Sequence, residues 1–240
     1  MSTDKDYLRA YVKTIGAPSD KISEAIAKAK EVCGELEYST TEDYGDCRIE
    51  IIYPEDLPKM QYGSVMSAIL GVLNEYVYAI EDVALNERLV QLLKLRKIKI
   101  SVAESFTGGG VGKKLVEVPG VSEVFYEGLN TYSNESKMNR LGVRKSTLEQ
   151  YGAVSDQTAA EMAVGLVLSG NCDVAVSTTG IAGPNSDNTN KPVGLFYIGV
   201  ATKESVKVYK YNLNGSRKSI TETAINFALF LAYKLIKKEV

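Results

Sequence analysis

The 240-residue sequence contains no histidine and no tryptophan. The absence of histidine excludes Ser-His-Asp and Cys-His nucleophile pairs, and every zinc site with a histidine ligand. Any serine nucleophile in this chain therefore needs another base. Lysine is the obvious remaining candidate, because burial or a neighbouring cation can lower its pKa toward neutrality.

The three cysteines, Cys33, Cys47 and Cys172, form no C-x-x-C pair, and the sequence shows neither a signal peptide nor an apolar run long enough to span a bilayer. These absences predict a reduced, cytoplasmic, soluble protein with no membrane partner. Cys172 is expected to pack as a small hydrophobic residue in front of a strand. The net charge of −2 and the lack of a long basic run argue against nucleic acid as a partner.

Residues 1–95 are predicted to form a small α+β module with the order helix, helix, strand pair, helix, strand. Its charge is mixed and it holds no cluster of convergent polar residues, so a packing or interaction role is the default interpretation. The predicted elements are helices at 7–12 and 21–29 (with Ser19 as N-cap), a strand at 48–53, a helix at 65–73 and a strand at 76–80.

In residues 96–240 strands alternate with helices, which predicts an α/β sheet whose loops gather at the strand ends, where ligands usually bind. A helix at 85–96 leads into this domain. The predicted elements are a strand at 98–102, extended chain at 121–133, a helix at 133–142, a helix capped by Ser155, a strand at 173–179, a hairpin of 193–201 and 205–211, and a closing helix capped by Ser216.

A glycine-rich turn between the strand at 98–102 and the helix that follows it organises this domain. Such a turn gathers backbone N–H groups that favour a phosphate or a developing oxyanion, and Ser105 and Thr107 lie at its mouth. The spacing of Gly108, Gly109, Gly110 and Gly112 matches neither a P-loop nor the G-x-G-x-x-G fingerprint. The alternative interpretation is that these glycines only permit a tight turn and close packing.

Three loops are rich in polar residues, at 104–109, 132–137 and 178–184, and the first and third also contain glycine. Together with their flanking motifs they resemble the CinA C-terminal domain family, whose enzymatic members are nicotinamide-nucleotide amidohydrolases, also called nicotinamide mononucleotide deamidases. The matching motifs occur in family order across residues 97–238. They are Ala103-Glu104-Ser105, Thr107-Gly108-Gly109, Val118-Pro119-Gly120, Tyr132-Ser133-Asn134 with Lys137, Leu141-Gly142-Val143, Gly152-Ala153-Val154-Ser155, Thr179-Gly180-Ile181-Ala182-Gly183-Pro184, Lys191-Pro192-Val193-Gly194, and Gly215 with Arg217.

The resemblance implies a three-layer α/β/α fold with a mixed sheet, and a homodimer. It implies hydrolysis of the carboxamide of nicotinamide mononucleotide to nicotinate mononucleotide and ammonia, without a metal or cofactor. Carried over by position, Ser105 is the nucleophile and Lys137 its general base. The residues implied to bind the substrate are Thr107, Gly108 and Gly109 through backbone N–H groups, Tyr132, Thr179 and Gly180 along the pocket, and Arg217 at the phosphate.

Each of these residues also has an ordinary structural interpretation. Taken singly, Ser105 is a turn serine, Lys137 a solvated helix lysine, Tyr132 a sheet-edge aromatic, Thr179 a strand-end cap and Arg217 a surface charge. Their joint occurrence in family order favours the functional interpretation, most strongly for Ser105 and Lys137.

The sequence departs from the family pattern at two positions. Phe106 stands where cysteine is common, and Thr221 stands near the place of a second arginine. The alternative function is therefore a catalytically silent nucleotide-binding or interaction module. Residues 1–95 resemble, in position and element order, the small KH-like connecting module that precedes the deamidase domain in longer members.

Overall fold

The computed structural model describes residues 6–185 and 190–238. The chain divides into two compact units, the first ending at Ala84 and the second beginning at Leu85. Each unit has its own β-sheet, with four strands in the first and five in the second. The mixed α/β class predicted from the sequence is confirmed. No helix in the described ranges is both long enough and apolar enough to cross a membrane.

The first unit has a β-α-β-β-α-β arrangement, in which both helices pack on a four-stranded antiparallel sheet of order β2-β3-β1-β4. Its core contains buried aliphatic residues from both helices and the two central strands. The elements are β1 (Tyr7–Ile15), α1 (Ser19–Val32), β2 (Glu37–Asp43), β3 (Asp46–Pro54), α2 (Lys59–Leu73) and β4 (Val77–Ala79).

Two local predictions in this unit are wrong. The segment at 7–12 is part of strand β1, because it pairs with β3 along its whole length and buries Ala10 and Val12 on one face while Tyr11 between them stays half-buried. This period of two overrides the helical spacing of the same residues. Ser19 is the first residue of α1 and not its cap, which is Pro18.

The second unit is a three-layer α/β/α domain. Strands β6, β5 and β7 are parallel, and β7, β8 and β9 are antiparallel, in the order β6-β5-β7-β8-β9. The contacts place α3, α4 and α8 on one face, and α5, α6 and α7 on the other. The elements are α3 (Leu85–Arg96), β5 (Ile100–Glu104), α4 (Gly110–Val116), a 3-10 turn (Val121–Glu123), β6 (Phe125–Asn130), α5 (Asn134–Leu141), α6 (Lys145–Tyr151), α7 (Asp156–Leu168), β7 (Val174–Gly180), β8 (Leu195–Thr202), β9 (Val206–Asn212) and α8 (Arg217–Lys238).

Helix α3 belongs to the second unit. It buries Leu85, Leu89 and Leu93 and packs against α4 and α8. The structural boundary after Ala84 and the sequence-based boundary after residue 95 therefore differ by the length of this one helix.

The parallel strands β5, β6 and β7 bring three loops to one edge of the sheet. Their carboxyl ends lie at the same edge, so the segments beginning at Ser105, Thr131 and Ile181 emerge side by side. The predicted gathering of polar loops at strand ends is confirmed. At the opposite end of β7, Cys172 is 2% exposed and packs among apolar residues, as expected.

Candidate active site

Ser105 lies in the turn that follows β5. Its backbone N–H donates to the carbonyl of Thr178 on the neighbouring strand β7 (3.0 Å), and its carbonyl accepts from the N–H of Gly108 (3.1 Å). The residue is 9% exposed. Strand pairing on one side and a closed turn on the other thus fix the backbone of Ser105.

Lys137 lies in the first turn of α5, and its side chain is completely buried. The helix begins after Ser133, whose hydroxyl accepts from the N–H of Ser136 (3.0 Å), and it ends at Gly142 in the left-handed conformation, as the sequence predicted. Lys137 Nζ is 3.1 Å from Ser105 Oγ, 2.7 Å from the Thr131 carbonyl oxygen and 3.2 Å from the Tyr132 carbonyl oxygen. The structure therefore brings together two residues that are far apart in sequence.

The three partners of Lys137 Nζ determine how a neutral amine is oriented. The carbonyls of Thr131 and Tyr132 can only accept, so they hold the two N–H groups of the amine. The nitrogen lone pair then faces the hydroxyl of Ser105. Burial lowers the pKa of Lys137 to about 8, which makes the neutral form accessible near neutral pH.

Most N–H groups of the glycine-rich turn already have acceptors within the protein. The carboxylate of Glu104 accepts from the N–H groups of Gly109 (3.1 Å), Val111 (3.0 Å) and Gly112 (2.8 Å). The N–H of Gly108 donates to the carbonyl of Ser105. The cup of open N–H groups predicted at Gly108 and Gly109 is thus largely filled by the protein itself.

The conformations of the glycines explain why they are needed. Gly109 has φ of +96°, which other residues rarely adopt, and a Cβ on Gly110 would lie 2.2 Å from Cδ1 of Ile225 on α8. The glycine run thus serves a tight turn and close helix packing, which is the structural interpretation left open above.

Two backbone donors beside Ser105 remain available. Among the described residues, the N–H groups of Phe106 and Thr107 have no hydrogen-bond acceptor. Both lie in the middle of the Ser105–Gly108 turn. Of the three donors predicted from the resemblance, only that of Thr107 is open, and Phe106 supplies a second one.

The predicted pocket residues differ in what their side chains do. Tyr132 contacts Lys137 through its carbonyl, and the residue is 67% exposed. Thr179 is 1% exposed and its hydroxyl donates to the carbonyl of Ala153 (2.7 Å), so it has the structural role given above as the alternative. Gly180 ends β7, where a Cβ would lie 2.4 Å from the Cβ of Phe196.

Arg217 begins the closing helix α8 and is tied to the loop that follows β7. Its Nη1 donates to the carbonyl of Gly183 (2.8 Å), while the residue as a whole is exposed. This contact brings a cation to the edge of the sheet from which Ser105 emerges.

Phe106 turns its side chain away from solvent. It is 6% exposed and packs against Phe196 on β8 with ring centroids 5.5 Å apart; Phe196 in turn stacks on Tyr211 of β9 at 5.1 Å. A phenylalanine at this position therefore anchors the turn in the core and leaves the dyad intact.

The fold agrees with the comparisons to known proteins. A sequence model described as the CinA C-terminal domain matches residues 82–236, almost the whole second unit. The chain belongs to the CinA C-terminal domain family. This confirms the resemblance drawn from the motifs.

The relatives of this CinA-family chain are longer proteins. A CinA-like protein of Kosmotoga olearia is 41% identical over 210 residues, which cover 85% of this chain and 51% of that protein. A CinA-like protein of Fusobacterium nucleatum is 42% identical over 184 residues, covering 76% and 45%. The chain thus spans about half the length of these curated relatives. A protein of Clostridium acetobutylicum, whose name includes the words competence-damage inducible, is 49% identical over 154 residues, covering 64% and 38%.

Solved structures of the family match the second unit. A competence/damage inducible protein from Agrobacterium tumefaciens has a TM-score of 0.61 at 33% identity, covering 64% of this chain and 94% of its own. A CinA superfamily protein from Klebsiella pneumoniae has a TM-score of 0.62 at 26% identity, covering 64% and 96%. The α/β/α domain is therefore a fold that occurs as a nearly complete chain elsewhere.

Two features of the site were not assigned from the sequence. Glu104 was part of a matching motif without a role, and Thr178 was placed at the end of a strand and the start of the 178–184 loop, also without a role. An acidic residue at the end of a buried strand, a few residues before a helix N-terminus, is the signal that could have identified Glu104 as the acceptor for the turn. Within residues 6–185 and 190–238, no cluster of three cysteine, aspartate or glutamate residues is arranged to hold a metal ion.

Proposed function

We propose that the second unit is an amidohydrolase that converts nicotinamide mononucleotide to nicotinate mononucleotide and ammonia, a step of pyridine nucleotide salvage. The observation that carries this proposal is the buried Lys137 amine, held by two carbonyls so that its lone pair faces Ser105 Oγ at 3.1 Å. A serine nucleophile with an oriented base is what amide hydrolysis requires in a chain without histidine.

In the first half-reaction, Ser105 Oγ attacks the carboxamide carbon while Lys137 takes the hydroxyl proton. The oxygen that becomes negative receives hydrogen bonds from the open N–H groups of Phe106 and Thr107. When the tetrahedral intermediate collapses, the C–N bond breaks and the Lys137 ammonium returns its proton to the leaving nitrogen. Ammonia departs and an ester remains on Ser105.

In the second half-reaction, neutral Lys137 takes a proton from water, and the resulting hydroxide equivalent attacks the ester carbon. The C–O bond to Ser105 breaks, and the serine oxygen regains its proton from Lys137. The product is nicotinate mononucleotide. One residue thus acts as base and then as acid in each half-reaction, which a pKa of about 8 allows.

We propose Arg217 as the partner of the substrate phosphate. One of its N–H groups is used by Gly183, and the exposed remainder of the guanidinium can bind an anion. Tyr132, with an exposed ring beside the dyad, is proposed to line the nicotinamide end of the pocket.

The setting of this activity is also proposed. We infer a cytoplasmic homodimer whose first unit corresponds to the KH-like connecting module of longer CinA proteins. The match to the Kosmotoga olearia protein supports this correspondence, because 85% of the chain is more than the second unit contains and the match must continue into the first.

The test is ammonia release from nicotinamide mononucleotide by the purified protein in the presence of a chelator. We expect release by the native protein, and a loss on the order of 10⁴-fold or more in Ser105→Ala. Ser101→Ala is the matched control, because Ser101 is a buried serine on β5, the strand that precedes the Ser105 turn, and the variant should keep full activity.

Two results would contradict the proposal. Nucleotide binding without any ammonia release would favour the silent binding module. Release that survives in Ser105→Ala would remove this serine from the mechanism.

A further inference from the structure

Glu104 is a buried carboxylate without a charged partner. It is 2% exposed, and no lysine or arginine among the described residues pairs with it. A buried carboxylate is unfavourable unless hydrogen bonds replace its hydration. Glu104 obtains these bonds entirely from the nucleophile turn, which we define as residues 105–112.

Four donors surround the two carboxylate oxygens. Oε2 accepts from the Thr107 hydroxyl at 2.7 Å, from Gly109 N–H at 3.1 Å and from Val111 N–H at 3.0 Å. Oε1 accepts from Gly112 N–H at 2.8 Å. The residue directly before Ser105 therefore closes the turn directly after it.

A second chain of hydrogen bonds connects this carboxylate to strand β7. Because Glu104 can only accept, the Thr107 hydroxyl donates to it and must accept from the hydroxyl of Thr178, which lies 2.6 Å away. The carbonyl of the same Thr178 accepts the N–H of Ser105 at 3.0 Å. Thr178 therefore holds Ser105 directly through its carbonyl, and through its hydroxyl it supports the Thr107 and Glu104 side chains that close the turn.

We propose that Glu104 is a positioning residue: its carboxylate occupies the anion site of the nucleophile turn, aligns Ser105 Oγ with Lys137 and keeps the Phe106 and Thr107 N–H groups free for the reacting oxygen. This inference rests on the proposed function. It also means that the glycines of the turn do not bind the substrate phosphate, since all four of their N–H groups already have acceptors. Gly109 and Gly112 donate to the Glu104 carboxylate, while Gly108 and Gly110 donate to the backbone carbonyls of Ser105 and Thr107.

Glu104→Gln tests this role with little change in size. The amide places an NH₂ group against at least one of the turn's donors, so the turn must shift. Glu161→Gln is the matched control. Glu161 is a half-buried carboxylate of the second unit, and it accepts from Arg144 and Thr147 rather than from the nucleophile turn.

Two readouts separate positioning from general stability. The first is kcat against KM for nicotinamide mononucleotide. The second is the rate at which phenylmethanesulfonyl fluoride labels Ser105, measured by mass spectrometry. For Glu104→Gln we expect kcat and the labelling rate to fall about 100-fold while KM stays within about twofold, since misplacement of a reacting group affects the chemical step. Glu161→Gln should lower the melting temperature and leave both rates near native.

A folded Glu104→Gln variant with native kcat and native labelling rate would overturn the inference. If that variant does not fold, Thr178→Val and Thr178→Ser replace it. The valine removes the hydroxyl that supports Thr107 and should slow labelling about tenfold, whereas serine should restore the rate; an unaffected valine variant would equally overturn the inference.

The labelling assay also distinguishes failure of this inference from failure of the proposed function. If the native protein releases no ammonia but its Ser105 is still labelled, the substrate assignment fails and the comparison between Glu104→Gln and Glu161→Gln remains decisive for the positioning role.

Discussion

Buried ionisable groups are handled differently in the two units. In the first unit Glu50, 8% exposed, lies 2.6 Å from Arg9 Nη1, and this hydrogen bond lowers the pKa of the Glu50 carboxyl. In the second unit Lys137 is fully buried without a carboxylate partner among the described residues, and burial lowers its pKa to about 8. Arg9 stabilises the charged form of Glu50. Lys137 has no such partner, so its burial favours the neutral form.

The difference shows how a structural group can be told from a chemical one. A paired charge such as Glu50 is held in its charged form, and both of its oxygens already accept hydrogen bonds from neighbouring strands. An unpaired buried amine destabilises the fold, so its presence beside a serine hydroxyl points to a site where the neutral form is used.

The sharpest test of this comparison is the stability of Lys137→Met as a function of pH. Between about pH 8 and 10.5 the unfolded native chain binds a proton at Lys137 that the folded chain does not, so native stability rises with pH. The free energy of unfolding of the native protein should rise by about 2 kcal/mol relative to that of Lys137→Met between pH 7 and pH 10. Denaturant unfolding of both proteins at each pH measures this difference. Lys145→Met, which removes an exposed lysine, controls for the loss of one charge. A pH-independent difference between the native protein and Lys137→Met would contradict the burial effect.

Arg217 represents a third case, an exposed cation with donors to spare. For Arg217→Gln we expect KM for nicotinamide mononucleotide to rise about tenfold with kcat nearly unchanged, because a charge-assisted bond to the phosphate is lost. Nicotinamide riboside lacks the phosphate and provides the control substrate. An equal rise in KM for both substrates would show that Arg217 acts through the Gly183 loop instead.

The smallest effect is expected from the paired group. Glu50→Gln should lower the melting temperature of the first unit at neutral pH and leave ammonia release unchanged. Because Arg9 lowers the pKa of Glu50, the stabilising effect is present above the unfolded pKa and disappears as the pH falls through the folded one. The native protein and Glu50→Gln should therefore have the same melting temperature in acid, as measured by circular dichroism. A change in the rate of ammonia release in Glu50→Gln would contradict the claim that Glu50 has only a structural role.

Local signals were sufficient to predict much of the second unit. Ser155 caps α7 and Ser216 caps α8 through hydroxyls that accept backbone N–H groups, as their positions indicated. Helix α6 was not predicted, because its N-cap Arg144 offers no capping side chain. The acceptor for the Arg144 N–H is Glu161, which comes from another helix. Strand β1 was mistaken for a helix because only its long-range pairing with β3 decides between the two periods.

The sequence indicated the two residues of the proposed dyad but not the geometry of the site. The family order of the motifs indicated Ser105 and Lys137, yet nothing local indicates that the carbonyls of Thr131 and Tyr132 orient the amine. The role of Glu104 depends in the same way on how the turn folds back onto its own strand.

The most direct test of the central claim is the pH dependence of Ser105 labelling by phenylmethanesulfonyl fluoride in the native protein and in Lys137→Met. If the neutral Lys137 amine activates Ser105, the labelling rate of the native protein rises with pH through a midpoint near the Lys137 pKa of about 8. The Lys137→Met variant is then labelled more slowly, and its rate shows no midpoint in this range. A native rate that is flat across this range, or a Lys137→Met rate equal to the native one, would contradict the dyad.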